Sequence, residues 1–403
     1  MLTEQLDLRG GRNCWRQPAD GPESDEAPAT ADVAIVGAGV MGAMVAERLS
    51  DMGLSVVVLD RRAPATGATA ASTALVMWGA DVPLTHLSRT GGEGEAAERW
   101  RRVFEAVRTL DQRIQKLDIE CGWRARPELY LAGDVLDDAG LQLEAEARER
   151  ASLPSAFLAG DAVHERFDIA PRSALLSSGS YEVDPVALTL GLIKAARANG
   201  ARLCFPFDVI GLARDADGVR VRGSDGADLL VKSVVLASGY EAARLFLPQH
   251  FSLSSSYAIA SKPGAAPAWK ENALLWEAAD PYLYARATSD GRIIVGGEDE
   301  EFVDAIRRDA LIPAKSGTLQ AKAAKLIGRD DIEYDCAWAA SFGSSPDGLP
   351  AIGAARNMDD VTLAYGFGGN GVTFASLGAE LIAARMRGQE DAATRFFDPY
   401  RAL

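Results

Sequence analysis

A chain of 403 residues is longer than one small domain requires, and two domains are the natural expectation. With 48% hydrophobic and 25% charged residues, it has the composition of an ordinary soluble globular protein. A net charge of −15, from 42 basic against 57 acidic residues, argues against nucleic acid or an anionic membrane surface as the main partner. Cys14, Cys121, Cys204 and Cys336 show no C-x-x-C spacing, so neither a zinc site nor a disulfide framework is signalled, and reduced thiols are expected. The acidic start, Met-Leu-Thr-Glu-Gln-Leu-Asp-Leu, does not read as a secretory signal. No uninterrupted apolar run reaches the roughly 18 residues of a membrane span. A cytoplasmic location is expected.

Residues 1 to 31 are polar and rich in Pro, Asp, Glu and Gly, and read as an extended arm, with Trp15 a candidate pin onto the body. The next stretch organises the rest. An apolar run, Val33 to Val36, ends in Gly37-Ala38-Gly39-Val40-Met41-Gly42. A helix follows, with Met44, Val45, Ala46 and Leu49 on its apolar side and Gly53 closing it. A second run, Val56 to Leu59, ends on Asp60. In such a unit the first glycine permits the tight turn, the second lets a pyrophosphate approach the backbone, and the third lets helix and sheet pack closely. The diphosphate rests on the helix N-terminus, where free N–H groups and the helix dipole favour negative charge. Asp60 is spaced to accept hydrogen bonds from a ribose. The unit predicts an adenine dinucleotide and leaves NAD and FAD both open.

After Arg61-Arg62 comes a small-residue loop, Gly67 to Ala74, whose hydroxyls and bare amides are placed to reach a phosphate or a cofactor ring. Residues 95 to 117 form a long amphipathic helix through Trp100, Val103, Phe104, Val107, Leu110 and Ile114. An acidic helix covers Asp138 to Arg150, and two helices in a row break the βαβ rhythm. Asp184-Pro185 opens another helix, ending at Asn199-Gly200. Short strands follow at Arg202 to Phe205, Asp208 to Arg214, Val219 to Arg222 and Leu229 to Val231, then a buried strand from Ser233 to Gly239. Tyr282 to Arg286 and Arg292 to Val295 form a hairpin, with helices then expected at Glu300 to Asp309 and Ser316 to Ile327. Finally, strand Val361 to Ala364 leads into Gly366-Phe367-Gly368-Gly369-Asn370-Gly371 and a last helix.

This second glycine-rich turn, the Leu236-Ala237-Ser238-Gly239 strand end and the Pro346-Asp347-Gly348 segment together resemble the D-amino-acid oxidase superfamily, which includes glycine oxidase and sarcosine oxidase. The resemblance implies an α/β fold: a Rossmann-like FAD-binding domain with a discontinuous second α+β substrate domain on a mainly antiparallel sheet. Expected boundaries are an arm over 1–31, an FAD-binding domain over 32–92, 165–245 and 335–403, and a substrate domain over 93–164 and 246–334. It further implies that FAD sits with its pyrophosphate on Gly37, Gly39, Val40, Met41 and Gly42, and its ribose on Asp60, beside Arg61. Thr69, Ala71, Ser72 and Thr73 match the second phosphate- and flavin-contacting loop, Val209 the adenine position, and Ser238 and Gly239 the strand end near the dinucleotide. Gly368, Gly369, Asn370, Gly371, Val372 and Thr373 match the turn at the flavin pyrimidine edge, where backbone N–H groups favour the charge of the reduced ring.

Three departures from the pattern matter. Where some relatives carry a flavin-linking cysteine stands Ala340, which predicts non-covalent FAD. Where amino-acid-oxidising relatives carry a carboxylate-clamping arginine stands Phe342, and a phenyl ring makes no bidentate clamp. Ile294 stands where a lysine assists reaction with oxygen, so the acceptor is oxygen or another oxidant.

The predicted reaction passes a hydride from the carbon next to an amine to flavin N5, giving an imine that hydrolyses. The substrate is then an amino acid or a secondary amine. Tyr282, Tyr284, Arg286 and Phe342 are the candidate substrate-side residues, with Arg286 the candidate replacement clamp. No metal site is expected. His86, His164 and His250 read as structural. Two other functions stand beside this one: an NAD-dependent hydroxyacid dehydrogenase, and a flavin-binding protein without amine turnover.

Overall fold

The computed structural model describes residues 2–18, 21–79, 81–389 and 391–402. It contains two large sheets. In the first, strands Arg202–Cys204, Val56–Leu59, Thr30–Val36, Asp228–Leu236 and Met358–Tyr365 run parallel in that order, with Ala351–Ala355 antiparallel at the edge. Their β-branched runs are buried on both faces, as a parallel sheet requires. Helices Val40–Asp51, Glu93–Leu117, Pro185–Ala198 and Gly371–Met386 share one core, containing Met44, Leu49, Val107, Leu192, Phe374 and Leu381. A second core on the other face gathers Phe207, Phe246, Phe251 and Phe367. The chain leaves Thr30–Val36 toward Val56–Leu59 on one side, while Asp228–Leu236 pairs on the other. Ligands bind at such a reversal, beyond the carboxyl ends of the strands.

The second sheet is ordered Arg9–Arg12, Tyr334–Ser344, Ser252–Ser261, Ile293–Glu300, Leu283–Ala287, Leu274–Glu277, Arg124–Leu131, Ala174–Glu182 and Leu75–Val76. Ser155–Leu158 pairs with Ala174–Glu182 off this path, and among the described residues Leu274–Glu277 with Arg124–Leu131 is its one parallel pair. Alternation sets its two faces. Tyr257, Ala285, Val295 and Ala339 pack with Leu319 and Ala323 of helix Ala305–Ile327. Ser256, Tyr284, Ala340 and Phe342 point the other way, into the cavity described below.

Several expectations need correction. The arm is not merely a lead-in: Arg9–Arg12 forms the edge strand against Ala337–Ala340. Trp15 does pin it, its Nε1 donating to the Ser72 carbonyl at 2.7 Å. The two helices expected between 300 and 327 are one, Ala305–Ile327, running through Pro313. Leu311 and Ile312 before the proline pack on the same core as Leu319 and Ala323 after it, so burial outweighs the lost donor. The strands expected at Leu229 to Val231 and from Ser233 are one, Asp228–Leu236, which ends before Ala237-Ser238-Gly239.

The sheets also divide the chain elsewhere than the expected boundaries. Leu75–Val76, Ala174–Glu182 and Tyr334–Ser344 lie in the antiparallel sheet, although all but Tyr334 fall within the 32–92, 165–245 and 335–403 expected for the FAD-binding domain. Helix Glu93–Leu117, assigned to the substrate domain, packs on the helices of the parallel sheet. Strands rich in Ala, Ser and Gly carry little hydrophobic alternation, which is why strands such as Ala174–Glu182 and Ser252–Ser261 left no sequence signal.

Candidate active site

One continuous cavity runs from the first glycine turn to the antiparallel sheet. At its base, Gly37 holds φ at 118° and donates its N–H to the Leu59 carbonyl at 2.8 Å. A Cβ on Gly42 would lie 1.9 Å from the Gly37 carbonyl oxygen, so only glycine lets helix Val40–Asp51 start this close to the strand. That helix has no side-chain cap and no acid in its first turn. The Val40 N–H donates to the Thr69 hydroxyl at 3.0 Å, bringing the small-residue loop onto the helix start. Gly37, Gly39, Val40, Met41, Thr69, Ala71, Ser72 and Thr73 all line the cavity, whereas Gly42 acts behind it through packing.

At the next stretch Asp60 accepts the N–H groups of Ala38 at 2.7 Å and Arg62 at 2.8 Å. Burial pushes its carboxyl up, against those two donors. A carboxylate has about four lone-pair sites, so acceptor capacity remains for ribose hydroxyls. Arg61 lines the cavity, yet its guanidinium is engaged by the Thr3 hydroxyl, the Glu4 carbonyl and, at 3.4 Å, Asp208. Its role here is to tie the arm to the body. Val209, Ser238 and Gly239 complete this end, and the Ser238 hydroxyl donates to the Glu241 carbonyl.

Gly368, Gly369, Asn370, Gly371 and Val372 line the cavity at the second glycine turn. Thr373 does not: it is fully buried, and its hydroxyl donates to the Met77 carbonyl at 2.7 Å. The Gly369 N–H is taken by Asp81 Oδ2 at 2.7 Å, so an acid already uses part of the positive helix end that was expected to face flavin. The Asn370 side chain donates to the Gly79 carbonyl, and its amide oxygen has no donor although the residue is 2% exposed. An uncapped helix start, an orphaned amide oxygen and a ribose-placed acid in one cavity fit an adenine dinucleotide extended toward a ring system.

Beyond that turn the wall becomes aromatic and acidic. Tyr130, Tyr240, Trp276, Tyr282, Tyr284 and Phe342 line it, with Asp81 and Glu277. The Tyr282 hydroxyl donates to Asp299 Oδ2 at 2.9 Å. Burial and the Asp299 charge raise the Tyr282 hydroxyl well above its ordinary value, and burial pushes Tyr284 up to about 12, so both stay protonated. Glu277 is paired with Arg172 and accepts the Leu283 N–H at 3.0 Å.

Arg286 is the clearest correction among the candidates. It is 1% exposed and absent from the cavity wall, and it donates to the carbonyls of Ala74 at 2.8 Å and Val183 at 2.9 Å beneath the Trp15 ring. Burial pulls its guanidinium down to about 10. It braces the end of the small-residue loop and does not reach substrate space. Ala340 lines the cavity, whereas none of the four cysteines does. The His164 ring bonds the Ile169 carbonyl at 2.7 Å, and no histidine lies in the cavity wall. Sequence reasoning missed Tyr130, Tyr240, Trp276 and the role of Asp81, because their strands and loops carry no motif.

Residues 32–385 match the family described as FAD dependent oxidoreductase (DAO). Among curated proteins, the chain is 22% identical over 379 residues to a probable oxidoreductase, OrdL, of Haemophilus influenzae, covering 90% of this chain and 84% of that one. It is 24% identical to gamma-glutamylputrescine oxidoreductase of Escherichia coli, covering 90% and 85%. Among solved structures, glycine oxidase from Geobacillus kaustophilus superposes with a TM-score of 0.77 at 20% identity, covering 93% of this chain and 100% of that one. L-proline dehydrogenase from P. horikoshii gives 0.76 at 18%, covering 93% and 98%. With the family match spanning most of the chain and the dinucleotide cavity in place, the protein belongs to the DAO family of FAD-dependent oxidoreductases.

Proposed function

We propose that the chain oxidises a small amine or amino acid at the carbon bonded to nitrogen, releasing an imine that water hydrolyses to a carbonyl compound. FAD, when bound, supplies the two-electron acceptor for the hydride that leaves that carbon. The observation that carries this reading is the single cavity joining the two glycine turns to an aromatic pocket on the antiparallel sheet. Hydride transfer depends on proximity, alignment and exclusion of water more than on an acid or base. Trp276, Tyr284 and Phe342 supply walls that exclude water, and Tyr282, held by Asp299, presents a fixed hydroxyl to the substrate. The reacting nitrogen must be neutral, because its lone pair forms the C=N bond as the hydride departs. On the cofactor side, Gly37, Gly39, Val40 and Met41 would hold the pyrophosphate, Asp60 the ribose, Val209 the adenine, and the turn from Gly368 to Val372, part of whose N–H capacity Asp81 already uses, the pyrimidine edge.

FAD is held without a covalent bond on this reading, since Ala340 faces the cavity while Cys336 is buried away from it. Four unpaired cysteines suit a cytoplasmic location. The test is an absorbance spectrum before and after acid precipitation, followed by an anaerobic screen with amines and amino acids. Flavin is expected in the supernatant, and at least one amine is expected to bleach it. A yellow pellet would overturn the non-covalent assignment. Flavin that stays oxidised with every compound would favour a binding protein without turnover.

A further inference from the structure

The substrate end of the cavity wall carries no basic side chain among the described residues. Among the described residues, the only basic side chains in the cavity wall are Arg61 and Arg62, at the adenosine end. Phe342 occupies the clamp position, and Arg286 is committed to two backbone carbonyls. Beside Glu277, which is paired with Arg172, two carboxylates with no ion-pair partner among the described residues serve this end. Asp81 faces the cavity directly, and Asp299 stands one hydrogen bond behind the wall, on the Tyr282 hydroxyl. They are close enough for Asp299 to raise the proton affinity of Asp81.

The position of Asp299 is built by a distortion of the backbone. Strands Ser252–Ser261 and Ile293–Glu300 pair Ser255 with Glu300 and Tyr257 with Gly297, so Ser256 opposes both Glu298 and Asp299. Gly297 at φ 132° and Glu298 at φ 59° form this bulge, and a non-glycine residue in the left-handed region is strained. Lys322 pairs with Glu298, and Lys315 with Glu300 at 2.7 Å and Glu298 at 3.6 Å. Lys315 thus acts on Asp299 only at a distance, and Asp299 is directed to Ser256 and Tyr282, both in the cavity wall. Asp299 Oδ1 is buried and has no donor. Tyr240, Trp276, Tyr282 and Phe342 line the same end, and aromatic rings attract cations.

We infer, on the amine-oxidation reading above, that the substrate is a diamine-type cation: its reacting carbon bears no carboxylate, and a second, protonated nitrogen is held by Asp81 and the aromatic walls, with Asp299 acting through the Tyr282 hydroxyl. Carboxylates aimed at the reacting nitrogen would favour its ammonium form and oppose the chemistry. A second nitrogen that stays protonated uses them without that conflict. An α-carboxylate would be desolvated against a phenyl ring and two like charges.

The test is anaerobic flavin reduction in the holoenzyme by the diamine putrescine, the monoamine butylamine and the amino acid glycine. Putrescine is expected to exceed butylamine in reduction rate over Kd by about tenfold or more, with glycine slowest. Asp299→Asn and Asp81→Asn are each expected to lower the putrescine-to-butylamine ratio by about tenfold. Phe342→Arg is expected to raise the rate with glycine and depress that with putrescine. Glycine matching putrescine, or a ratio unchanged in both acid variants, overturns the inference while leaving amine oxidation standing. If no compound reduces the flavin, amine oxidation itself fails, and a titration of the oxidised flavin spectrum decides the cation site. Tighter binding of putrescine than butylamine then supports the site, and equal binding overturns it.

Discussion

Asp81 is held between opposing influences. Although Asp81 is exposed to the open cavity, its enclosing walls and the nearby Asp299 push its carboxyl up to about 6, against the hydrogen bond from the Gly369 N–H. The folded chain therefore binds this proton more tightly than the unfolded chain, whose carboxyl titrates near its ordinary value of about 3.9. The sign follows: stability falls as pH rises between those values, and the penalty stays in place above about 6. Because Asp81 is exposed to the cavity, solvent screens the penalty, so Asp81→Asn should raise Tm only slightly above that pH and change little at pH near 4, as a thermal-unfolding series would show. If the carboxylate binds a cationic substrate, KM should climb as pH drops through about 6, and the variant should flatten that limb. Arg286 illustrates a different residue-scale outcome. Arg286→Met should cost about 1–3 kcal/mol in stability by stranding two buried carbonyls, with substrate KM unchanged. A large KM rise without a drop in Tm would restore its role as a clamp. Gly42→Ala should collide with the Gly37 carbonyl, and purified protein should carry much less flavin than the parent.

Arg148 joins elements that are distant in sequence. It lies on helix Asp138–Arg150, fully buried, bonded to Glu144 at 3.0 Å, with its guanidinium 4.8 Å from the Trp100 ring and 5.5 Å from that of Trp78. Glu144 in turn accepts the N–H groups of Leu84 and Thr85, closing the N-terminus of helix Leu84–Gly91. Burial pushes the Glu144 carboxyl up, but the Arg148 charge and the Thr85 donors outweigh it and hold it below its ordinary range. Replacing Arg148 by Met leaves Glu144 charged and unpaired, with an expected loss of about 3–5 kcal/mol in chemical denaturation. A loss below about 1 kcal/mol would show that water reaches the pair. None of this was readable from the helix itself, whose sequence looks like an exposed acidic amphipath. By contrast, helix Pro185–Ala198 was legible at both ends, because Asp184 caps it through the Val186 and Ala187 N–H groups and the proline stands at its first turn.

The molecule as a whole is closed by its termini. Near the N-terminus, the Leu8 carbonyl accepts the Ser341 N–H, Arg9 donates to the Thr66 carbonyl, and Thr3 and Leu8 line the cavity. Near the C-terminus, Arg401 makes a bidentate pair with Asp347 at 2.7 and 2.9 Å, next to the second glycine turn. Deleting residues 2–12 should remove the edge strand and part of the adenosine-end wall, and weaken FAD retention by about tenfold or more. An unchanged FAD Kd by fluorescence titration would refute that role for the arm.

The sequence by itself determined the dinucleotide unit, the second glycine turn and the family. Each is a local pattern, in which the spacing of glycines, apolar runs and one acid dictates the backbone path. Only the tertiary structure decided which charges share the substrate pocket. Asp299 reaches the Tyr282 hydroxyl because a bulge forms opposite Ser256 on another strand, and Arg286 is spent because loop and strand carbonyls from two other segments reach it first. Such placements depend on pairings between distant strands, and spacing along one segment carries no record of them.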